Sequence, residues 1–112
     1  MILNHLNLTV TDVKASSEFL QHYFGLKLGG ERGNGFAALF DDNGLVLTLM
    51  KGAEVSYPKT FHIGFAQETE EKVNEIYRQL TEDGYEAEPP QRAHAWTFYV
   101  KAPGGFTIEV MS

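Results

Sequence analysis

Residues 2–10 read ILNHLNLTV and residues 60–66 read TFHIGFA, and these two stretches decide the fold because each sets one histidine in a strand-like run. In the first, Ile2, Asn4, Leu6, Leu8 and Val10 fall on one face and Leu3, His5, Asn7 and Thr9 on the other. Alternation with period two marks a strand. Asp12 follows as an N-cap, Ala15, Phe19, Leu20, Tyr23 and Phe24 recur at helical spacing, and Gly25 supplies the stop, so a helix is expected over Val13 to Phe24. The second stretch, a strand over Thr60 to Ala66, leads to Val73, Ile76, Tyr77 and Leu80, which mark a helix from about Glu70 to Thr81 that Gly84 ends.

After the glycine-rich stretch Gly29 to Gly35, strands are expected at Phe36 to Phe40 and Leu45 to Met50 across the turn Asp41-Asp42-Asn43-Gly44. A second hairpin pairs Trp96 to Val100 with Phe106 to Met111 across Ala102-Pro103-Gly104-Gly105. The same order therefore occurs twice in one α+β domain over residues 1–112, in modules of about 1–52 and 60–112. His5 falls on His62. Superimposing Gly44 on Gly105 sets Leu47 on Ile108, Leu49 on Val110 and Thr48 on Glu109.

With 43% apolar and 21% charged residues, the 112-residue chain has the composition of one folded domain. Fifteen acids against nine bases give a formal charge of −6, which argues against a nucleic-acid partner and suits a cationic ligand, although a solvated surface is the simpler reading. The absence of cysteine excludes disulfides, thiolate catalysis and Fe–S clusters, so any metal must use histidine and carboxylate. No apolar run reaches membrane-spanning length and the start has no basic, long-apolar leader, so a cytoplasmic protein is expected, with no membrane partner.

Strand parity assigns Leu6, Leu8, Phe61, Ile63, Phe65, Ile108 and Val110 to the helix-facing side. The opposite set, His5, Asn7, Thr9, Thr48, His62, Gly64, Thr107 and Glu109, is polar and fits a sheet face that lines a cavity. His5, His62 and Glu109 form a sensible ligand set for one divalent Mn, Fe, Zn, Ni or Co ion, because three protein ligands leave positions open for substrate. Each residue alone reads as an ordinary polar side chain. The equivalent places of the two histidines raise the metal reading above that. Phe36, Phe40, Met50, Tyr57 and Trp96 are candidates for a cavity accepting a flat ligand, and core or dimer contact is the alternative for each.

NHLNLTV with SSEFLQHYFGLKL, then FHIGF, then the terminal WTFYVKAPGGFTIEV together resemble the vicinal-oxygen-chelate superfamily, which includes glyoxalase I, extradiol dioxygenases, methylmalonyl-CoA epimerase, and fosfomycin- and bleomycin-resistance proteins. The resemblance spans the chain and implies two tandem βαβββ modules forming a curved mixed sheet around a cavity. It implies metal ligands at His5, His62 and Glu109, with Thr48 in the fourth ligand place. Thr48 is a weak ligand and no base, which counts against the glyoxalase and epimerase reactions. Tyr99 and Thr97 stand where fosfomycin-type enzymes carry hydroxyls near the metal, and Arg92 and His94 are the groups available for an anion.

The expectation is a divalent-metal-dependent enzyme of lyase, dioxygenase or transferase type acting on a small molecule that chelates through oxygens. Tyr99 and His94 are its candidate catalytic groups, and Asn7, Thr48, Met50, Phe36, Trp96, Thr97 and Arg92 its candidate substrate contacts. The alternative is a non-catalytic drug-binding protein of antibiotic-resistance type, stacking a cationic planar ligand on Trp96. Either would be a homodimer, with His5 of one chain free to join His62 and Glu109 of the other.

Overall fold

Asp12 and Thr69 open the two helices through the same local device. The Asp12 carboxylate accepts from the Ala15 N–H at 3.0 Å, and the Thr69 hydroxyl accepts from the Lys72 N–H at 3.1 Å. The computed structural model describes residues 1–112, with helices α1 (Val13–Phe24) and α2 (Glu70–Glu82). Gly25 at φ 68° closes α1, with its N–H on the Gln21 carbonyl. Gly84 at φ 96° follows the Asp83 cap of α2, and the Tyr85 N–H returns to the Leu80 carbonyl. Replacing Asp12 by alanine is expected to lower stability by about 1 kcal/mol, measured by urea unfolding at constant m-value.

The strands are β1 (His5–Val10), β2 (Lys27–Arg32), β3 (Phe36–Phe40), β4 (Val46–Lys51), β5 (Ile63–Ala66), β6 (Gln91–Arg92), β7 (Trp96–Ala102) and β8 (Phe106–Met111). They form two four-stranded mixed sheets ordered β1-β4-β3-β2 and β5-β8-β7-β6, each with one parallel pair, β1 with β4 and β5 with β8. This is an α+β fold of two tandem βαβββ modules. The chain divides into two compact units, Met1–Ser56 with Pro103–Gly105, and Tyr57–Ala102 with Phe106–Ser112.

In the first unit α1 buries Val13, Phe19 and Leu20 with Leu8, Val10, Leu39, Leu47 and Leu49 of the sheet. The Pro103–Gly105 turn belongs to this unit. Its Gly104 carbonyl accepts from the Thr11 N–H at 3.0 Å, and the buried Ser16 hydroxyl sits 2.8 Å from the Pro103 carbonyl and 2.6 Å from that of Asp12. Only glycine fits at 104, where φ is 99° and an added β-carbon would overlap the Ser16 hydroxyl. In the second unit Val73, Ile76 and Leu80 of α2 bury against Phe98, Val100, Ile108 and Val110.

Three expectations need correction. The first strand begins at His5, not Ile2, and Ile2 and Leu3 are exposed at 88% and 76%. The fifth strand begins at Ile63, because Phe61 closes a turn onto the Pro58 carbonyl and stacks on Tyr57 at 4.5 Å between ring centroids. Strands β2 and β6 were not expected from the sequence as strands of their own. KLGGER pairs with β3 around an irregularity between Leu28 and Gly30, where a β-carbon on Gly29 would land in the Phe40 ring. No helix is long and apolar enough to cross a membrane.

Candidate metal centre

Cross-strand register carries the polar faces. In the second unit Gly64 pairs with Glu109, and Glu109 with Tyr99, so these share a face with Thr97 and Thr107, each two residues away along a strand. In the first unit Asn7 pairs with Thr48, and Met50 with Phe36. The equivalence of Thr48 with Glu109 is thus a feature of the sheets.

Glu109 is the buried charge of the second unit, 4% exposed. Its Oε2 accepts from the Thr97 hydroxyl at 2.7 Å and from His94 Nε2 at 2.6 Å, and its Oε1 lies 3.3 Å from His62 Nε2. Tyr99 also hydrogen-bonds the carboxylate and meets the His62 ring edge-on at 5.4 Å. Burial by itself would push the Glu109 pKa up. The hydrogen bonds from Thr97, His94 and Tyr99, with the charge of His94, outweigh it and hold the group below the ordinary glutamate range. Tyr99 is shifted upward by partial burial, by the Glu109 charge and by their hydrogen bond, so its hydroxyl stays protonated and donates.

The imidazole tautomers follow from their partners. His62 Nδ1 is 2.9 Å from the Thr60 carbonyl, which can only accept, so Nδ1 carries the proton. Nε2 is then the ring atom turned to a carboxylate oxygen, a contact that a proton or a bound cation would bridge. His5 repeats the pattern in the first unit, with Nδ1 3.1 Å from Asn4 Oδ1 and Nε2 left over. Fixing Nδ1 with an acceptor is how metal-binding imidazoles are oriented. The donor set therefore fits a divalent ion. No group of three or more histidine, aspartate and glutamate side chains stands together as a ready cage for an ion, so the structure does not gather His5, His62 and Glu109 into one.

The structure brings His62, His94, Thr97, Tyr99 and Glu109 together, and separately joins Asn7 to Thr48, whose hydroxyl donates to Asn7 Oδ1 at 2.7 Å. Phe36 and Met50 lie beside Thr48 on the same face, where Met50 is 48% exposed. Trp96 and Arg92 are not brought to the carboxylate. Both share the face of Phe98 toward α2, where the Trp96 indole donates to Asn74 at 2.9 Å and Arg92 stacks over the indole while pairing with Glu70. Two groups escaped sequence reasoning. The Thr60 carbonyl has no side-chain signal. Gly64 was placed on the face, but its lack of a side chain beside Glu109 Oε1 was not used.

Two open clefts flank the cluster. One of about 340 Å³ reaches Thr97 and Tyr99, and one of about 550 Å³ reaches Tyr99 and Thr107. Both lie in the size range of small-molecule sites.

Residues 2–110 match the family model for the Glyoxalase/Bleomycin resistance protein/Dioxygenase superfamily, and the chain belongs to that family. It is 62% identical to a possible glyoxalase from Bacillus cereus, with 100% of this chain and 99% of that one covered and a TM-score of 0.97. A mutant of the genomically encoded fosfomycin resistance protein FosX from Listeria monocytogenes, complexed with Mn(II) and 1S,2S-dihydroxypropylphosphonic acid, is 23% identical, with 99% and 93% covered and a TM-score of 0.83. A glyoxylase/bleomycin resistance protein/dioxygenase domain from Frankia sp. EAN1pec is 20% identical, with 99% and 96% covered and a TM-score of 0.81. The last two likenesses concern the fold. No curated protein matches the chain.

Proposed function

We propose that this protein is a divalent-metal-dependent enzyme acting on a small molecule with two adjacent oxygens, with His5, His62 and Glu109 as its metal ligands. The observation that carries the reading is His62 Nε2 turned onto Glu109 Oε1 at 3.3 Å, with the other ring nitrogen already committed to Thr60. When bound, the ion would act as a Lewis acid toward the substrate oxygens, in a lyase, dioxygenase or transferase type of reaction.

The chain's own residues then have separable tasks. Tyr99 holds its proton and serves as a hydrogen-bond donor rather than a base. Thr48 spends its proton on Asn7, which leaves the Asn7 amide N–H groups free to orient a substrate oxygen. No carboxylate stands at position 48 to move a proton, so isomerisation of the glyoxalase kind is disfavoured. A drug-sequestering role resting on Trp96 is weakened, because its indole is engaged with Asn74 and Arg92. The reading extends to a cytoplasmic homodimer, checked by sedimentation.

The test is metal content after native purification, followed by thermal unfolding with added Mn²⁺, Fe²⁺, Ni²⁺ or Zn²⁺. An ion at a hundred times its Kd should stabilise the fold by about 2.7 kcal/mol. Absence of both a bound ion and any shift would overturn the reading.

A further inference from the structure

The two oxygens of Glu109 are treated differently. Oε2 takes the Thr97 hydroxyl at 2.7 Å and His94 Nε2 at 2.6 Å, whereas Oε1 is the oxygen turned to His62. Two donors on one oxygen fix the rotation of the carboxylate about its last torsion, which is otherwise soft. Gly64, opposite Glu109, puts no side chain against Oε1, and a β-carbon there would come no nearer than 4.0 Å.

His94 holds its place through a braced turn. It sits between Ala93 and Ala95, whose backbone groups bond to each other at 2.9 Å, and the flanking pair Arg92 and Trp96 is fastened to α2 through Glu70 and Asn74. The residues that the sequence offered as substrate contacts thus support the histidine that holds the carboxylate.

We propose that His94 and Thr97 are positioning residues that clamp Glu109 Oε2 and so present Oε1, together with His62 Nε2, to the divalent ion. This rests on the metal-dependent reading above. His94 is accordingly neither a metal ligand nor the group that meets the substrate, and Thr97 acts on the carboxylate, not on the substrate. Removing partners of this kind costs about 10–100-fold in metal affinity.

Mn²⁺ affinity is to be measured by the free-ion electron paramagnetic resonance signal for the wild type, His94→Ala, His94→Gln, Thr97→Val and Thr97→Ser, with apo thermal unfolding alongside. His94→Ala and Thr97→Val are expected to bind about 10–100-fold more weakly. The conservative pair, which keeps an N–H or O–H near the same place, should bind close to the wild type and escape that loss of about 10–100-fold. Equal loss in a variant and its conservative counterpart, or binding unchanged in all four, overturns the clamp while leaving the metal reading intact. Tighter binding by His94→Ala also overturns it, because His94 would then compete with the ion for Glu109. If the wild type binds no Mn²⁺, Ni²⁺ or Zn²⁺, the metal reading fails and the clamp fails with it.

Discussion

Replacing Glu109 by glutamine is expected to abolish the metal response and to lower apo stability at neutral pH by the contribution that the Glu109 charge makes there. The amide is isosteric, and its oxygen can take the place of Oε2 under Thr97 and His94 while its NH₂ takes the place of Oε1 beside His62 Nε2. What is lost is the anion. Wild type at a hundred times Kd gains about 2.7 kcal/mol, which for a chain of this size raises Tm by roughly 10 °C, and the variant should gain none. The pH dependence separates the same charge in the absence of metal. Because Glu109 titrates below the ordinary value of 4.5 in the fold, the unfolded chain binds the extra proton first. Its contribution to stability stands in full above that value and is lost as pH falls through the lower folded pKa. Acid titration of apo stability should therefore be shallower in the variant. A variant that still responds to Mn²⁺ would remove Glu109 from the ligand set.

The parts of the fold that local chemistry decides were legible in the sequence. Helix α1 ends where Asp12 and Gly25 say it must, since an acceptor at the N-cap and a residue free to adopt positive φ need no partner elsewhere. Strands β2 and β6 were not, because KLGGER has no sustained alternation and Gln91–Arg92 is two residues long. Both exist through pairing with β3 and β7. At the candidate site, parity placed His62 and Glu109 on one face correctly. Parity also sets Trp96 with Phe98 and not with Thr97, a signal present in the sequence but not used. The His94 contact was invisible, as it depends on a three-residue turn returning a side chain to a carboxylate 15 positions on.

The module equivalence leads to the second large effect. Glu109 stands opposite Gly64, which carries no side chain, whereas Thr48, the equivalent residue of the first module, faces Asn7 and bonds to it at 2.7 Å. Each pair therefore matches one long side chain with one short or absent one. Thr48→Glu alone would crowd Asn7, and Asn7→Gly/Thr48→Glu reproduces the Gly64–Glu109 pair. The glycine costs about 1 kcal/mol in a strand interior, visible as a lower apo Tm. In return, the double variant should supply a fourth ligand and bind Mn²⁺ at least about tenfold more tightly than the wild type, each factor of ten being about 1.4 kcal/mol. The single variant should gain less than the double. Calorimetric titration decides the point. If the double variant binds no better than the wild type, positions 48 and 109 correspond in topology but not in chemistry, and vacancy at position 48 is not what leaves the site open to substrate.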